Sequence, residues 1–387
     1  MNFSLFVSCP QGLEYLLEDE VRALGLKVTR VSPQGVYGKA DLETSYNLCI
    51  WSRLANRVQL ILFADSVYDN KSLYQLCYAF AWKKVFSPNK TIAIEFHGLS
   101  NHIRNSMFGA QLVKDAIVDH FQKSVGMRPS IDRENPDIRL HARLKDDFFT
   151  LSLDLTGYSL HQRGYRVQAG AAPIKENIAA AMLIRAQWPK LAAEGFALED
   201  AFCGSGTVVI EAALMAAHIA PGLIRKDQAV HHWVKHDPAL WEKCLEQARE
   251  KSQNINLQIS GSDIDEKQVE AARANAERAG VHKLVEFKVK PMQQCRALSK
   301  KGLFICNPPY GERLEDFKSL VPLYQDLGKV MHDHYQGWQA AILTSDFMLA
   351  KATGLRSAKQ YTLFNGALKC KLYCMSLNPD NQLRKSH

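Results

Sequence analysis

The residue types that promise chemistry lie in the C-terminal half. Asn307-Pro308-Pro309-Tyr310-Gly311-Glu312-Arg313 follows the apolar stretch Gly302-Leu303-Phe304-Ile305-Cys306, which reads as a buried strand. Two consecutive prolines hold the backbone past that strand end in one stiff, extended shape. The Asn307 amide and the Tyr310 ring are thereby presented in fixed positions. The Asn307 side-chain oxygen and the Pro308 carbonyl are two hydrogen-bond acceptors side by side. Tyr310 offers a face on which a base can stack, worth about 1–3 kcal/mol. Arg313 either meets a phosphate beside such a base or pairs with Glu312 or Glu315 at the surface.

A second group lies upstream. A strand over Phe196–Ala201 leads into Asp200-Ala201-Phe202-Cys203-Gly204-Ser205-Gly206-Thr207 and then an apolar helix, Val208–Ala217. Strand, glycine turn and helix make the first unit of a doubly wound sheet. Gly204 and Gly206 allow a ligand close to the backbone, and the helix N-terminus favours an anion. Glycines placed for packing alone read the same way. A third group follows the strand Leu257–Ser260, at Gly261-Ser262-Asp263-Ile264-Asp265. An acid at that strand end accepts hydrogen bonds from the two ribose hydroxyls of a nucleoside. Asp263 is assigned to that role and Asp265 to capping the next helix, Glu266–Ala279.

These groups need a scaffold. Strands are expected at Val285–Val289, Gln339–Thr344, Tyr361–Phe364 and Leu368–Ser376, with a helix from about Leu320 to His334. Asn365-Gly366-Ala367 is a tight hairpin turn, so a parallel sheet ends in an antiparallel edge. An earlier helix opens at Ala172-Pro173-Ile174-Lys175-Glu176, with proline at an early position where its missing N–H costs nothing, and runs to Pro189.

The N-terminal part reads differently. Residues 1–65 give strand, helix, strand, strand, helix, strand, the split βαβ pattern of a ferredoxin-like unit. Residues 66–165 form a second α+β unit, with a helix at Ser72–Trp82, a strand at Thr91–His97, a helix at Ala110–Phe121 and strands at Ile138–Leu144 and Phe148–Leu155. Its loop Ser100-Asn101-His102-Ile103-Arg104-Asn105-Ser106 runs into a helix start, which either holds a phosphate or is simply capped. Arg133, Arg139, Arg143 and Lys145 recur along the last strands, and Arg163 and Arg166 follow. Such a stripe suits a nucleic-acid backbone; an ordinary solvated face has the same look.

Bulk properties bound the rest. The 387 residues carry a formal net charge of +8, which permits a polyanionic partner without demanding one. The 9 cysteines include no C-x-x-C pair and read as reduced thiols. The histidines, His231, His232 and His236 among them, lack the spacing of a closed metal site, so no metal is expected. The N-terminus lacks the pattern of a signal peptide, and no apolar run spans a membrane. A cytoplasmic protein is expected.

Two resemblances add to this reading. Asn101 to Ser106, Val113 to Asp119 and Leu153 to Arg166 resemble the THUMP domain, an RNA-binding module of tRNA- and rRNA-modifying enzymes. It implies that Arg104, Arg139, Arg143, Arg163, Arg166 and Arg313 meet RNA. The Asp200–Thr207 turn, Asp263 and Asn307-Pro308-Pro309-Tyr310, in that order, resemble class I S-adenosylmethionine-dependent methyltransferases with a Rossmann-like fold. That likeness implies a cofactor site at Asp200, Phe202, Cys203, Gly204, Ser205, Gly206, Thr207, Asp263, Ile264 and Met292. Catalysis would belong to Asn307, Pro308, Pro309 and Tyr310. Together with the Gly311-Glu312-Arg313 extension, the whole is similar to guanine-N2 methyltransferases of the RlmL type, which act on 23S rRNA. On this likeness residues 166–387 are one catalytic domain. Some members carry a second, fused methyltransferase domain; a chain ending at His387 is expected to perform one methylation. Two departures stand out. Ala201 replaces the usual proline, and Pro291 replaces an acid that reads adenine, leaving that task to a backbone group near Met292. A tRNA guanine-N2 enzyme, an adenine-N6 methyltransferase and a non-catalytic RNA-binding assembly factor are the alternatives.

Overall fold

Alternating apolar residues start the chain: β1 (Phe3–Ser8) buries Leu5 and Val7 completely on one face. The computed structural model describes residues 2–166, 174–225, 229–310 and 314–378, with side chains in the last stretch from residue 318. Contacts divide the chain into one unit of residues 1–9, 17–160 and 225–247 and another of 10–16, 161–224 and 248–387.

In the first unit β1 is followed by α1 (Glu14–Ala23), β2 (Lys27–Ser32), β3 (Gly35–Ala40), α2 (Leu42–Trp51) and β4 (Arg57–Ser66). Next come α3 (Asn70–Ala79), β5 (Ile92–His97), α4 (Ser106–Val125), β6 (Ile138–Lys145) and β7 (Phe148–Asp154). The strands form one sheet in the order β2-β3-β1-β4-β7-β6-β5. Because β4 pairs with β7, the ferredoxin-like stretch and the stretch after it share a single sheet. Helix starts follow their caps: Asp41 accepts from the Thr44 N–H, and Asp69 and Ser72 form a capping box. β6 alternates buried Ile138, Leu140, Ala142 and Leu144 with Arg139, Arg143 and Lys145, so these basic residues do share one face.

The second unit holds α5 (Glu176–Arg185), α6 (Trp188–Ala193), β8 (Ala197–Asp200) and α7 (Thr207–Ala216). After α8 (Pro238–Glu250) come β9 (Ile259–Asp263), α9 (Glu266–Arg278), β10 (Glu286–Val289), β11 (Gly302–Cys306) and α10 (Leu314–His334). β12 (Gln339–Thr344), α11 (Phe347–Ala352), β13 (Lys359–Asn365) and β14 (Leu368–Ser376) complete it. The sheet order is β10-β9-β8-β11-β12-β14-β13, parallel except where β14 runs antiparallel to β12 and β13. β8 and β11 are adjacent although distant in sequence, which is the switch point of a doubly wound sheet. All five residues of β11 are buried, as covered faces on both sides require.

Several expectations shift. Residues 225–247 group with the N-terminal unit rather than continuing the stretch that begins at 166: the Val230 N–H donates to the Leu155 carbonyl at 3.1 Å, and Arg225 donates to the carbonyls of Thr156 and Tyr158 at 2.9 and 3.0 Å. The helix expected to run to Pro189 stops at Arg185, because Gln187 takes a left-handed conformation (φ 61°) and Pro189 opens a second helix. α8 and α11 were not expected. Pro173 and the Gly311-Glu312-Arg313 extension lie outside the described residues.

Candidate functional site

The carboxyl ends of β8, β9 and β11 carry Asp200, Asp263 and Asn307. A cavity of about 1170 Å³ opens there, lined by Asp200, Phe202, Cys203, Gly204, Ser205, Thr207, Asp263, Ile264 and all four residues Asn307 to Tyr310. Open sheets of this kind bind ligands at this edge.

Asp263 is the best-held group. Its Oδ2 accepts from the Gly204 N–H at 2.9 Å and its Oδ1 from the Asp265 N–H at 3.0 Å. One carboxylate thus ties the glycine turn to the end of β9, each oxygen keeping a further lone pair. Asp265 caps α9 through the Lys267 N–H. The turn is braced from below by Asn275, whose amide donates to the Ser205 carbonyl at 2.9 Å. Gly204 has φ +49°, and a Cβ there would meet nothing nearer than Gln268 at 3.9 Å, so its open side faces the cavity. Gly206 differs: a Cβ would lie 2.9 Å from both Ala272 and Phe287. Its absent side chain serves the packing of the turn on α9 and β10, and it does not line the cavity, which corrects its assignment as a ligand contact. At Met292 only the backbone is open to the role expected there. Its side chain is 4% exposed and packs with Cys295 and Phe304 in the core.

Asp200 is 1% exposed and accepts one hydrogen bond, from the Phe202 N–H at 3.0 Å. Burial, with the charges of Asp263 and Glu199, pushes its carboxyl up to about 8 against that single donor. Burial also holds the Cys203 and Cys306 thiols well above their ordinary value, so both are neutral. At the other wall, Asn307 Oδ1 is buried and has no hydrogen-bond partner among the described residues. Such an orphan acceptor costs about 1–3 kcal/mol until a donor reaches it. Pro308 is buried and Pro309 exposed. The Tyr310 ring is half-buried against the core, and its hydroxyl receives the Cys370 thiol at 3.8 Å.

The arginines expected at RNA separate. Arg163 is fully buried, with Nε and a terminal nitrogen 3.4 and 3.5 Å from the two oxygens of Glu211, which also accepts from the Tyr165 hydroxyl at 3.3 Å. No phosphate reaches it; it pins residues 161–166 to α7. Arg166 lines the cavity instead of an outer surface, donating to Thr207 Oγ1 at 2.5 Å and lying 3.7 Å from Glu176. Arg139 is held by Glu95 at 2.5 Å. Arg104 and Arg143 are exposed, and Arg313 lies outside the described residues. At the start of α4 the Asn105 side chain already takes the N–H groups of Met107 and Phe108, so the capped-helix reading holds there. Sequence reasoning missed Glu176, Gln268, Asn365 and Leu368, which also line the cavity; an acid in the first turn of a helix whose next two turns are apolar was the available signal for Glu176. Among the described residues one cluster, Glu95, His97 and His141, brings metal-ligand atoms within 4.8 Å of one another. Both ring nitrogens of His141 already face carboxylates, Glu95 at 3.3 Å and Asp154 at 3.2 Å.

Residues 163–374 match the model of the RMKL-like methyltransferase domain, residues 67–154 the THUMP domain and residues 4–59 the RlmL ferredoxin-like domain. The chain belongs to the RMKL-like methyltransferase family. A Legionella pneumophila (strain Corby) protein named ribosomal RNA large subunit methyltransferase K/L is 61% identical over the whole chain, which covers 55% of that relative. The chain therefore spans about half the length of the curated relatives it matches. A putative methyltransferase solved in complex with SAH is 32% identical (TM-score 0.87), the alignment covering 97% of this chain and 98% of that one. A possible methylase from Clostridium difficile 630 is 30% identical (TM-score 0.88) over the same shares. No helix of the described residues is long and apolar enough to cross a membrane.

Proposed function

We propose that this chain transfers a methyl group from S-adenosylmethionine to the exocyclic N2 amino group of a guanine in 23S rRNA, in the cytoplasm. The observation that carries the reading is the orphan acceptor at Asn307 Oδ1, at the wall of the cavity that also holds Asp263 and Gly204. The residues present fit the cofactor. Asp263 keeps lone pairs for ribose hydroxyls, Gly204 opens the backbone, and Asp200 offers a carboxylate to a cationic group. When bound, the cofactor supplies a sulfonium-borne methyl open to in-line attack.

The chain's own residues prepare the other partner. An exocyclic amine is a poor nucleophile while its lone pair is conjugated into the ring. Asn307 Oδ1 and the Pro308 carbonyl accept its two hydrogens and favour a pyramidal nitrogen, whose lone pair is less conjugated with the ring. Pro308 is held by its buried ring, so the acceptors need no reorganisation as charge develops. Tyr310 stacks on the base and repays part of the few kcal/mol needed to extrude it. Transfer of the methyl, its bonding pair remaining on the donor sulfur, would leave a cationic amine, which would shed one proton directly to water while Asn307 Oδ1 and the Pro308 carbonyl hold its hydrogens in place. Positioning rather than covalent catalysis carries the rate.

Methyl transfer to 23S rRNA from a strain lacking the enzyme, followed by mass spectrometry of nucleosides, tests this. N2-methylguanosine should appear, and Asn307→Ala should lower the rate by about 10²–10³ with cofactor binding unchanged in calorimetry. Normal turnover by the variant, or methyl on adenine N6 or only on tRNA, overturns the assignment.

A further inference from the structure

β12 lies between β11 and β14 in the sheet. The loop after β11, Asn307 to Tyr310, and the hairpin tip before β14, Asn365 to Leu368, both line the cavity. The registers put them at one edge: Cys306 is opposite Ile342, and Thr344 is opposite Lys371. The turn that leaves β12, at Ser345 and Asp346, therefore emerges at the same sheet edge, on the strand that lies between those carrying the two walls. It leads into α11, whose first two residues, Phe347 and Met348, are consecutive large apolar side chains 60% and 52% exposed.

The turn is rigid. Asp346 accepts from the Met348 and Leu349 N–H groups at 2.6 and 3.0 Å, and its own N–H donates to the Thr344 hydroxyl at 3.2 Å. Leu349 is 1% exposed in the core. On α10, Gly328 has no Cβ precisely where one would stand 1.9 Å from the Thr353 carbonyl, so α10 and α11 close tightly. Two apolar side chains displayed on a pinned turn, instead of folded inward, suit a partner with a flat apolar face.

We infer that Phe347 and Met348 form a wedge that enters the base stack of the substrate RNA and fills the place vacated by the extruded guanine. The inference rests on the base-methylation reading above. Extrusion leaves an unstacked gap costing a few kcal/mol, and apolar wedges elsewhere hold such gaps open. A single apolar ring in the gap recovers stacking that water cannot supply. The wedge acts on extrusion and leaves the chemical step to Asn307 and Pro308.

The test uses the full chain and an RNA hairpin cut around the guanine that wild type methylates in a 23S transcript. One version pairs that guanine; the other places an abasic nucleotide opposite it. Phe347→Ala and the double variant Phe347→Ala/Met348→Ala should lose about 10-fold or more in kcat/KM on the paired hairpin and less than about 3-fold on the unpaired one. Phe347→Trp should restore the paired rate. The thermal midpoints should stay at the wild-type value, since both side chains are exposed. Equal loss on both hairpins, or no loss on either, overturns the wedge while leaving the methylation reading intact. Absence of methyl transfer to any guanine by wild type sinks both.

Discussion

Two buried aspartates, one in each unit, have opposite fates. Asp154 and Asp200 are each 1% exposed. Asp154 accepts from the Thr156 N–H at 2.8 Å, the Thr156 hydroxyl at 2.6 Å, His141 at 3.2 Å and Arg57. Burial raises its carboxyl, but His141, Arg57 and Thr156 outweigh burial and hold it down at about 2. Asp200 has one donor and two acidic neighbours and sits at about 8. The first carboxylate is finished by the fold. The second is left unfinished at the edge of a cavity, as groups that await a ligand are.

Breaking the finished group should cost most. Asp154→Ala removes the buried carboxylate on which Arg57, His141 and Thr156 converge, leaving Arg57 the Gly157 carbonyl and His141 the Glu95 carboxylate, and should lower unfolding free energy by about 3 kcal/mol in urea titration. The same size of loss is expected for Arg163→Ala, which leaves Glu211 buried and unpaired; a loss below about 1 kcal/mol in either would make these pairs dispensable.

The two aspartates should also part in pH dependence. Asp154 has a depressed folded pKa, so its contribution is present above about 4 and is lost as pH falls towards 2. Acid unfolding in that window should be absent from Asp154→Asn. Asp200 has a raised folded pKa, so it favours the folded chain most below about 4, and that contribution is lost as pH rises through about 8. A cationic ligand needs the ionised form, so cofactor affinity should climb up to about tenfold per pH unit between 6 and 8 and then level off. Asp200→Asn should flatten that climb in calorimetry; an unchanged slope would mean that Asp200 stays protonated beneath the ligand.

The smallest effects belong to exposed groups. Arg104→Ala and Arg143→Ala should leave stability within about 0.5 kcal/mol and each lower the salt slope of RNA binding by about one. A salt slope equal to wild type in both would move the RNA surface elsewhere.

Strand and helix periodicities carried most of the fold, and the site was legible because strand ends punctuate a doubly wound sheet at Asp200, Asp263 and Asn307. What failed was partner choice. Arg163 and Arg143 look alike in the sequence, yet one faces Glu211 and the other solvent. The informative residue was the partner: Glu211 is the only charge in Thr207–Ala216, and a lone acid in a buried helix needs a counter-charge. Gly206 could not be told from Gly204, because what distinguishes them is Ala272 and Phe287, brought near only by the fold. The six-residue α11 was too short for a periodic signal.

β8 is the first strand of its sheet in the chain but stands inside it, between β9 and β11. During synthesis it must therefore wait for both neighbours. A nascent chain released before Gly302 presents an unpaired inner edge with Ala197 and Leu198 uncovered, the kind that chaperones capture. Late-arriving strands, rather than the helix that follows it, set how long that vulnerability lasts.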